Sequence, residues 1–134
     1  MLKKYFIPGA AVTKKNSMQM AYNPKTKRWF PVPSKAYKRF EKNAETVLKQ
    51  DDMKTIDFPV NIQCCYYFPL NKDGTEPKKK PDLANLLEAT DDILVKYGVI
   101  ADDNVDIVAG HDHSRVYYTN DCEPGTYIII ESLR

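Results

Sequence analysis

The stretch from Lys78 to Asp103 constrains the fold of this chain more than any other. It opens on three lysines and a proline, and Asp82 then precedes apolar residues that recur at steps of three and four. This spacing is typical of an amphipathic helix with one face on a core. A carboxylate directly before such a repeat suits the N-cap, and Gly98 suits the end because glycine accepts left-handed backbone. The predicted buried face consists of Leu83, Leu86, Leu87, Thr90, Ile93, Leu94 and Tyr97.

The flank of this helix away from its core is acidic. Its members are Asp82, Asn85, Glu88 and Asp92, and a turn after the helix could bring the Asp102–Asp103 pair back toward them. Carboxylates gathered in this way repel one another, and Mg²⁺, which prefers hard oxygen ligands, would offset that repulsion. The simpler interpretation is a solvated helix face with a capping aspartate. For an isolated helix, the pattern favours the simpler interpretation.

Length and composition indicate an ordinary soluble protein. The 134 residues suit a single domain, residues 1–134, with one core. No run approaches the roughly 18 apolar residues of a membrane span, and the N-terminal apolar run is too short for a signal peptide. Three cysteines without framework spacing argue against a disulfide scaffold, so Cys64 and Cys65 are interpreted as core thiols. We therefore expect an intracellular, cytoplasmic protein.

The charge is distributed unevenly along the chain. Residues 1–80 contain 17 cationic and 7 acidic side chains, a net charge of +10, whereas residues 81–134 contain 3 and 11, a net charge of −8. A basic half suits a polyanionic partner and an acidic half suits a metal ion. A metal-dependent nuclease needs both, although two halves that pack together would also neutralise each other.

The rest of the chain reads as strands with one further helix. Alternation with a period of two makes Phe58–Leu70 the longest strand candidate, with Val60, Ile62, Cys64, Tyr66 and Phe68 on its buried face. Other strands are predicted at Leu2–Pro8, Met18–Tyr22, Arg28–Val32, Val105–Ala109, Arg115–Thr119 and Thr126–Leu133. A helix from Lys35 to about Gln50, capped by Ser34, would bury Ala36, Phe40, Ala44, Val47 and Leu48. This order predicts an α+β fold, a mixed sheet with two main helices packed on it.

Three basic segments are candidates for contact with nucleic acid. The first is the loop with Lys14 and Lys15, and the second is the triplet Lys78–Lys80 beside the acidic helix. The third is the hairpin of residues 18–32, where aromatic and cationic side chains interleave. Such a hairpin suits stacking on bases and pairing with phosphates, but it equally suits packing on a core. His111 and His113 would alternate on one side of a strand, and zinc is disfavoured because no third histidine exists.

The central stretch resembles the RusA family of phage and prophage Holliday-junction resolvases. The resemblance rests on a basic loop, then Asp82-Leu-x-Asn-Leu-Leu, then an acid at Asp92, then Gly98-Val-Ile-x-Asp-Asp. The segments VPSKAYKRFE and PGTYIIIE look like the family's first helix and last strand. The resemblance covers nearly the whole chain, and residues 80–104 are its specific part. It implies the family's fold and a Mg²⁺-dependent endonuclease, with Mn²⁺ as a possible substitute, that acts as a homodimer on four-way DNA junctions.

Two of the three metal-binding aspartates that the resemblance implies fall on Asp82 and Asp103. The third falls on Ala84, and the family's lysine falls on Glu88. This chain thus resembles a variant branch with Asp-Leu-x-Asn-Leu-x-Glu. Our hypothesis is that Glu88 replaces the missing acid and that one of Lys78–Lys80 replaces the missing cation.

These matches predict a set of site residues. The catalytic residues would be Asp82, Asp103, Glu88 and Lys80. The metal ligands would be Asp82, Asp103 and Glu88, with Asp92 and Asp102 as outer groups or ligands of a second ion. The DNA contacts would be Lys14, Lys15, Lys78, Lys79, Lys80 and Asn85. Two alternatives stay open: a dimeric protein that binds branched DNA without cutting it, which Ala84 favours, and a nuclease that acts on flaps or forks.

Overall fold

Seven strands and two helices form the described part of the chain, which in this computed structural model comprises residues 2–13, 18–50 and 54–134. The strands are β1 Leu2–Pro8, β2 Met18–Asn23, β3 Arg28–Pro33, β4 Val60–Phe68, β5 Val108–Gly110, β6 Arg115–Tyr118 and β7 Gly125–Ser132. The helices are α1 Lys35–Leu48 and α2 Leu83–Lys96. In these residues, no helix is long and apolar enough to cross a membrane.

Five of the strands form a mixed sheet in the order β1-β7-β4-β5, and β6 also pairs with β4. β7 runs antiparallel to both β1 and β4, whereas β5 and β6 run parallel to β4. Strands β2 and β3 form a separate antiparallel hairpin. The predicted α+β fold, with a mixed sheet and two helices, is confirmed.

The centre of the sheet is the core. The predicted buried face of β4 is confirmed at Val60, Ile62, Cys64 and Tyr66, each at most 1% exposed. Their partners in β7 include Ile130 beside Ile62, and Ile130 is also fully buried. On the other face of β4, Cys65 and Asn61 are buried as well, at 8% and 9% exposed, whereas Tyr127, the partner of Cys65 in β7, is 46% exposed.

Helix α1 begins where the sequence predicts. The Ser34 hydroxyl accepts a hydrogen bond from the Tyr37 amide at 3.1 Å, which is how an N-cap satisfies a free donor of the first turn. The buried face of α1 comprises Tyr37, Phe40, Ala44 and Leu48. The prediction that Ala36 lies on this face is wrong. At about 100° per residue, positions 37, 40, 44 and 48 lie within an arc of about 80°, and position 36 falls about 40° outside the edge of that arc.

Helix α2 also has the predicted ends. Asp82 caps it, and Gly98 directly follows the C-cap Tyr97 with a φ of +76°. Leu86, Thr90, Ile93 and Leu94 are buried as predicted. Leu87 and Tyr97 are partly buried, and the prediction that Leu83 is buried is wrong, because Leu83 lies in the first turn of α2 with 37% of its surface exposed.

The prediction of a strand at Val105–Ala109 is wrong in its first three residues, since β5 spans Val108–Gly110. The Asn104 carbonyl accepts hydrogen bonds from the amides of Ile107 (3.0 Å) and Val108 (2.8 Å), and this turn replaces the start of the strand. The two histidines do not share one side of a strand either. His111 is partly buried, and His113 is exposed in a turn with a φ of +69°.

Replacing Gly125 with alanine is expected to destabilise the fold. A Cβ at this position of β7 would lie 2.4 Å from Cε1 and Cζ of Phe6 and 2.7 Å from the Ile7 carbonyl oxygen. Overpacking of this kind costs about 1–3 kcal/mol. Urea denaturation followed by circular dichroism measures the loss. Gly74→Asn is the control, because no neighbour lies within 4 Å and asparagine tolerates a positive φ. Equal midpoints for Gly125→Ala and the parent would contradict the prediction.

Candidate active site

Asp82 is exposed at the start of α2 and is the N-cap of this helix. Its Oδ1 accepts hydrogen bonds from the amides of Ala84 (2.8 Å) and Asn85 (3.3 Å). The carboxylate is therefore fixed in orientation, and the described residues place no hydrogen bond on its Oδ2. Ala84, where the family resemblance implies a further aspartate, is also exposed and contributes no ligand atom.

Three of the predicted site residues line one groove between α1 and α2, with a volume of about 450 Å³. They are Asn85, Glu88 and Asp92, and α1 contributes Tyr37 and Glu41. Burial raises the pKa of the Tyr37 hydroxyl, its hydrogen bond to Glu41 raises it further, and the charges of Glu41 and Asp92 add to the effect. Lys96 also lines the groove and pairs with Glu41 at 2.7 Å. Three carboxylates and one ammonium group therefore face this groove, and we call it the acidic groove.

A second groove of about 310 Å³ is lined by Lys79 and Lys80, together with Pro81 and Tyr118, and we call it the basic groove. Lys80 forms an exposed ion pair with Glu76 at 2.8 Å, and its Nζ lies 4.4 Å from the centroid of the Tyr118 ring. Thr13 lines both grooves, so the acidic groove and the basic groove adjoin.

Of the remaining predicted cations, Lys78 lies within the described residues, and Lys14 and Lys15 do not. Lys78 is exposed in the loop that precedes α2. Lys14 and Lys15 lie outside the described residues. They directly follow Thr13 in the sequence, and therefore directly follow the residue at which the two grooves meet.

The two aspartates of the loop after α2 have different roles. Asp102 uses both carboxylate oxygens within the loop, because Oδ1 accepts from the Asp103 amide (2.7 Å) and Oδ2 accepts from Asn104 Nδ2 (2.9 Å). Asp103 is exposed, and its carboxylate makes no hydrogen bond or ion pair with any residue in the described ranges. Asp102 thus shapes the loop, and Asp103 is the carboxylate left available.

A buried ion pair that the sequence analysis did not identify lies beside this loop. Asp91 is 8% exposed, and its Oδ2 lies 2.8 Å from His111 Nε2. His111 Nδ1 lies 2.9 Å from the Ile62 carbonyl oxygen, which can only accept a hydrogen bond. The hydrogen bond to Asp91, then that to Cys64, raises the pKa of His111 to about 10. His111 is therefore an imidazolium at neutral pH, with both nitrogens donating.

The pKa of the Asp91 carboxyl indicates that Asp103 lies nearby. Burial raises the pKa of the Asp91 carboxyl, the hydrogen bond and charge of His111 oppose that rise, and the charge of Asp103 adds to it. Asp103 therefore lies close enough to Asp91 for the two carboxylates to repel each other. Asp91 Oδ1 is buried and has no hydrogen-bond partner among the described residues. A cation beside Asp103 would relieve the repulsion between the two carboxylates.

The donor chemistry of these groups fits a hard divalent cation. Across residues 2–13, 18–50 and 54–134, no three His, Cys, Asp or Glu side chains converge closely enough to hold a metal ion. Mg²⁺ does not require such a cage, since it is usually held by one or two carboxylates together with waters and substrate phosphates. Asp82 and Asp103 each retain carboxylate oxygen for that purpose. Their all-oxygen chemistry favours Mg²⁺ or Mn²⁺ over a softer metal.

Comparison with protein-family models gives a match over most of the chain. The family model described as "Endodeoxyribonuclease RusA" matches residues 8–131, from the end of β1 to within β7, and so includes both helices, both grooves and the Asp102–Asp103 loop. No individually curated protein matches the chain. Because the match extends over more than nine-tenths of the sequence, this chain belongs to the RusA family of endodeoxyribonucleases.

Proposed function

We propose that this protein is a Mg²⁺-dependent endonuclease that resolves four-way DNA junctions in phage or prophage recombination and repair. It would act as a homodimer of one-domain chains, because two symmetric sites can cut opposed strands of a junction. The observation that carries the proposal is the adjacency of the acidic groove and the basic groove at Thr13 in a chain of an endodeoxyribonuclease family.

Asp82 and Asp103 would hold the ion together with waters and phosphate oxygens. Glu88 would act as a general base rather than as a third ligand, because no three acidic side chains of the described residues converge on one ion. When bound, Mg²⁺ lowers the pKa of the attacking water and neutralises charge on the phosphate. Asp102 would orient Asp103, because its own oxygens already hold the loop. Asp92 would act from the acidic groove as an outer group.

The lysines would bind the scissile phosphate. Lys80 is paired with Glu76, but an exposed ion pair contributes only about 0–1 kcal/mol, so a phosphate can replace Glu76 at little cost. Lys79, in the same groove, would contribute a second positive charge, and Lys78 a third. Asn85, which lines the acidic groove, would contact the DNA there, and Lys14 and Lys15 stay predicted DNA contacts outside the described residues.

A cleavage assay on a synthetic four-way junction tests the proposal. With Mg²⁺ we expect paired nicks in opposed strands, and with EDTA, or on a linear duplex of the same sequence, we expect none. Glu88→Lys and Ala84→Asp test the variant motif, because each restores one residue that the family resemblance implies. We expect Ala84→Asp to retain or increase cleavage, since it adds a carboxylate to the first turn of α2, two residues after Asp82. If the protein nicks the junction neither with Mg²⁺ nor with Mn²⁺, the proposal is contradicted.

One alternative has an observation in its favour. Ala84 provides no ligand atom where the family resemblance implies one, which suits a dimeric protein that binds branched DNA without cutting it. Calorimetry separates the two functions, because a nuclease binds Mg²⁺ in the absence of DNA and Asp103→Asn weakens that binding. Tight, salt-sensitive binding of the junction with neither metal binding nor nicking would favour the alternative. Flap and fork substrates tested beside the junction establish whether the activity is selective for junctions.

A further inference from the structure

The hairpin of β2 and β3 exposes aromatic side chains. Its strands pair with each other from Met18–Pro33 to Asn23–Arg28 and belong to a sheet separate from the main one. Trp29 is 64% exposed and Tyr22 is 49% exposed. The sequence left two interpretations of this hairpin open: contact with nucleic acid and packing on a core. Because both rings are exposed, the second interpretation is wrong for Tyr22 and Trp29.

The exposed rings form an ordered pair. Tyr22 and Trp29 are direct cross-strand partners, and their ring centroids are 5.2 Å apart. Their face of the hairpin continues through Met20 and Pro31, which pair two residues further along the strands. Aromatic pairs at this distance stabilise each other, so the two rings present a fixed apolar surface to solvent rather than two independent side chains.

The charge around this surface is entirely positive. Residues 18–33 contain Lys25, Lys27 and Arg28 and no acidic residue, and none of the three cations forms an ion pair with a described residue. The turn that carries them is held by hydrogen bonds from the amides of Lys25 (2.9 Å) and Lys27 (2.8 Å) to Asn23. Helix α1, which begins two residues after β3, carries four further exposed cations: Lys35, Lys38, Arg39 and Lys42.

We propose that the hairpin is a nucleic-acid-binding arm that stacks Trp29 and Tyr22 on unpaired bases at a DNA branch point, while its turn cations bind the flanking phosphates. Aromatic faces beside cations are the chemistry that recognises single strands. A second copy of this chain is a poorer occupant, because a two-fold interface would bring the same three cations together. The choice of a branch point rests on the proposed function, whereas the recognition of unpaired bases rests on the hairpin itself.

Trp29 makes the arm directly observable, because it is the one tryptophan in the 134-residue sequence. Its fluorescence is followed while the protein is titrated with a four-way junction, with an oligothymidylate and with a fully paired hairpin duplex, all in EDTA so that no strand is cut. We expect the junction and the oligothymidylate to quench the emission, because stacked bases quench indole, and the paired duplex to quench it much less.

Substitutions test whether this contact contributes to affinity. Trp29→Ala and Tyr22→Ala are each expected to weaken binding of a dye-labelled junction by about 5- to 150-fold, which is the range for loss of one base–aromatic stack. Trp29→Phe keeps a ring and should retain most of the affinity. Leu133→Ala is the control, because Leu133 is also a large exposed apolar residue but lies beyond the end of β7, outside the hairpin. Thermal midpoints establish that each variant folds.

The outcomes separate this proposal from the proposed nuclease function. Unchanged Trp29 emission, while anisotropy of the labelled junction reports binding, would overturn the arm and leave the nuclease standing. A change in emission with protein concentration alone, without DNA, would assign the rings to a second copy and would also overturn the arm. Quenching by DNA in a protein that never nicks the junction would support the arm and count against the nuclease.

Discussion

Asp103→Asn is expected to lower the rate of junction cleavage by about 10³-fold, because a metal ion contributes several kcal/mol to such a reaction and each 1.4 kcal/mol is a factor of about ten in rate. Asp103 is exposed, no described residue engages its carboxylate, and it lies near enough to Asp91 to raise the pKa of that carboxyl. Single-turnover cleavage of a labelled junction in Mg²⁺ measures the effect.

Asp106→Asn is the matched control for this loss. Asp106 is an exposed acid of the same loop, and its contact there is made through the backbone, whose amide donates to Asn104 Oδ1 at 2.9 Å. Both substitutions remove one negative charge, so both should leave junction binding unchanged or slightly tighter. Equal cleavage by Asp103→Asn and the parent, or equal losses in the two variants, would exclude the assigned role of Asp103.

Asp82→Asn provides a second check on the same site. Asparagine is as good an N-cap as aspartate, so α2 should keep its start and the protein its stability. A fall in cleavage without a fall in the unfolding midpoint would therefore report the loss of a metal ligand rather than of the helix cap.

His111→Ala should produce the largest loss of stability, about 3–5 kcal/mol, because removal of one partner leaves the other charge buried and unpaired. Asp91 would lose the 2.8 Å contact with His111 Nε2, and its Oδ1 already lacks a partner among the described residues. Urea denaturation measures the change. His113→Asn is the control, since His113 is exposed with a positive φ that asparagine tolerates.

The double variant Asp91→Asn with His111→Ala distinguishes a buried charge from lost packing. It removes the unpaired carboxylate, so it should be more stable than His111→Ala alone. If the double variant is as unstable as the single variant, or less stable, the loss comes from packing around the imidazole and the ion-pair interpretation fails.

The same pair predicts how stability changes with pH. The pKa of His111 is about 10 in the folded protein against an ordinary value of 6.5, so between these values the folded state binds more protons than the unfolded state. Stability from this pair is therefore complete below about pH 6.5 and is lost as the pH rises toward 10. The difference in unfolding free energy between the parent and His111→Ala should shrink over that range, and a constant difference would contradict the assignment.

The helices were predictable because their ends are encoded locally. Ser34 and Asp82 each accept from an amide no more than three residues away, and Gly98 provides the positive φ just beyond α2. The long strand was predictable from its alternation. The error at Val105 has a local cause too, since Asn104 closes a turn that an apolar pattern does not reveal.

The Asp91–His111 pair could not be predicted from the sequence, because it joins α2 to the turn after β5 across 20 residues. Asp91 also lies at the border of the apolar stripe of α2, where the periodic pattern allows either burial or exposure. The adjacency of the two grooves depends on Thr13, which lies far from α2 in sequence and reaches it only through the packing of the fold. The relative positions of the proposed site residues therefore could not be predicted from the sequence.

The order of strands in the sheet has a consequence for biosynthesis. β7 joins β1 to β4 by antiparallel pairing on both of its edges, yet it follows all the other strands in the chain. Until residues 125–132 have left the ribosome, the first strand has no neighbour in the sheet and the most apolar strand lacks one of its neighbours. Unpaired strand edges are prone to associate with other chains, so the nascent protein is expected to depend on chaperones until translation has passed this last strand.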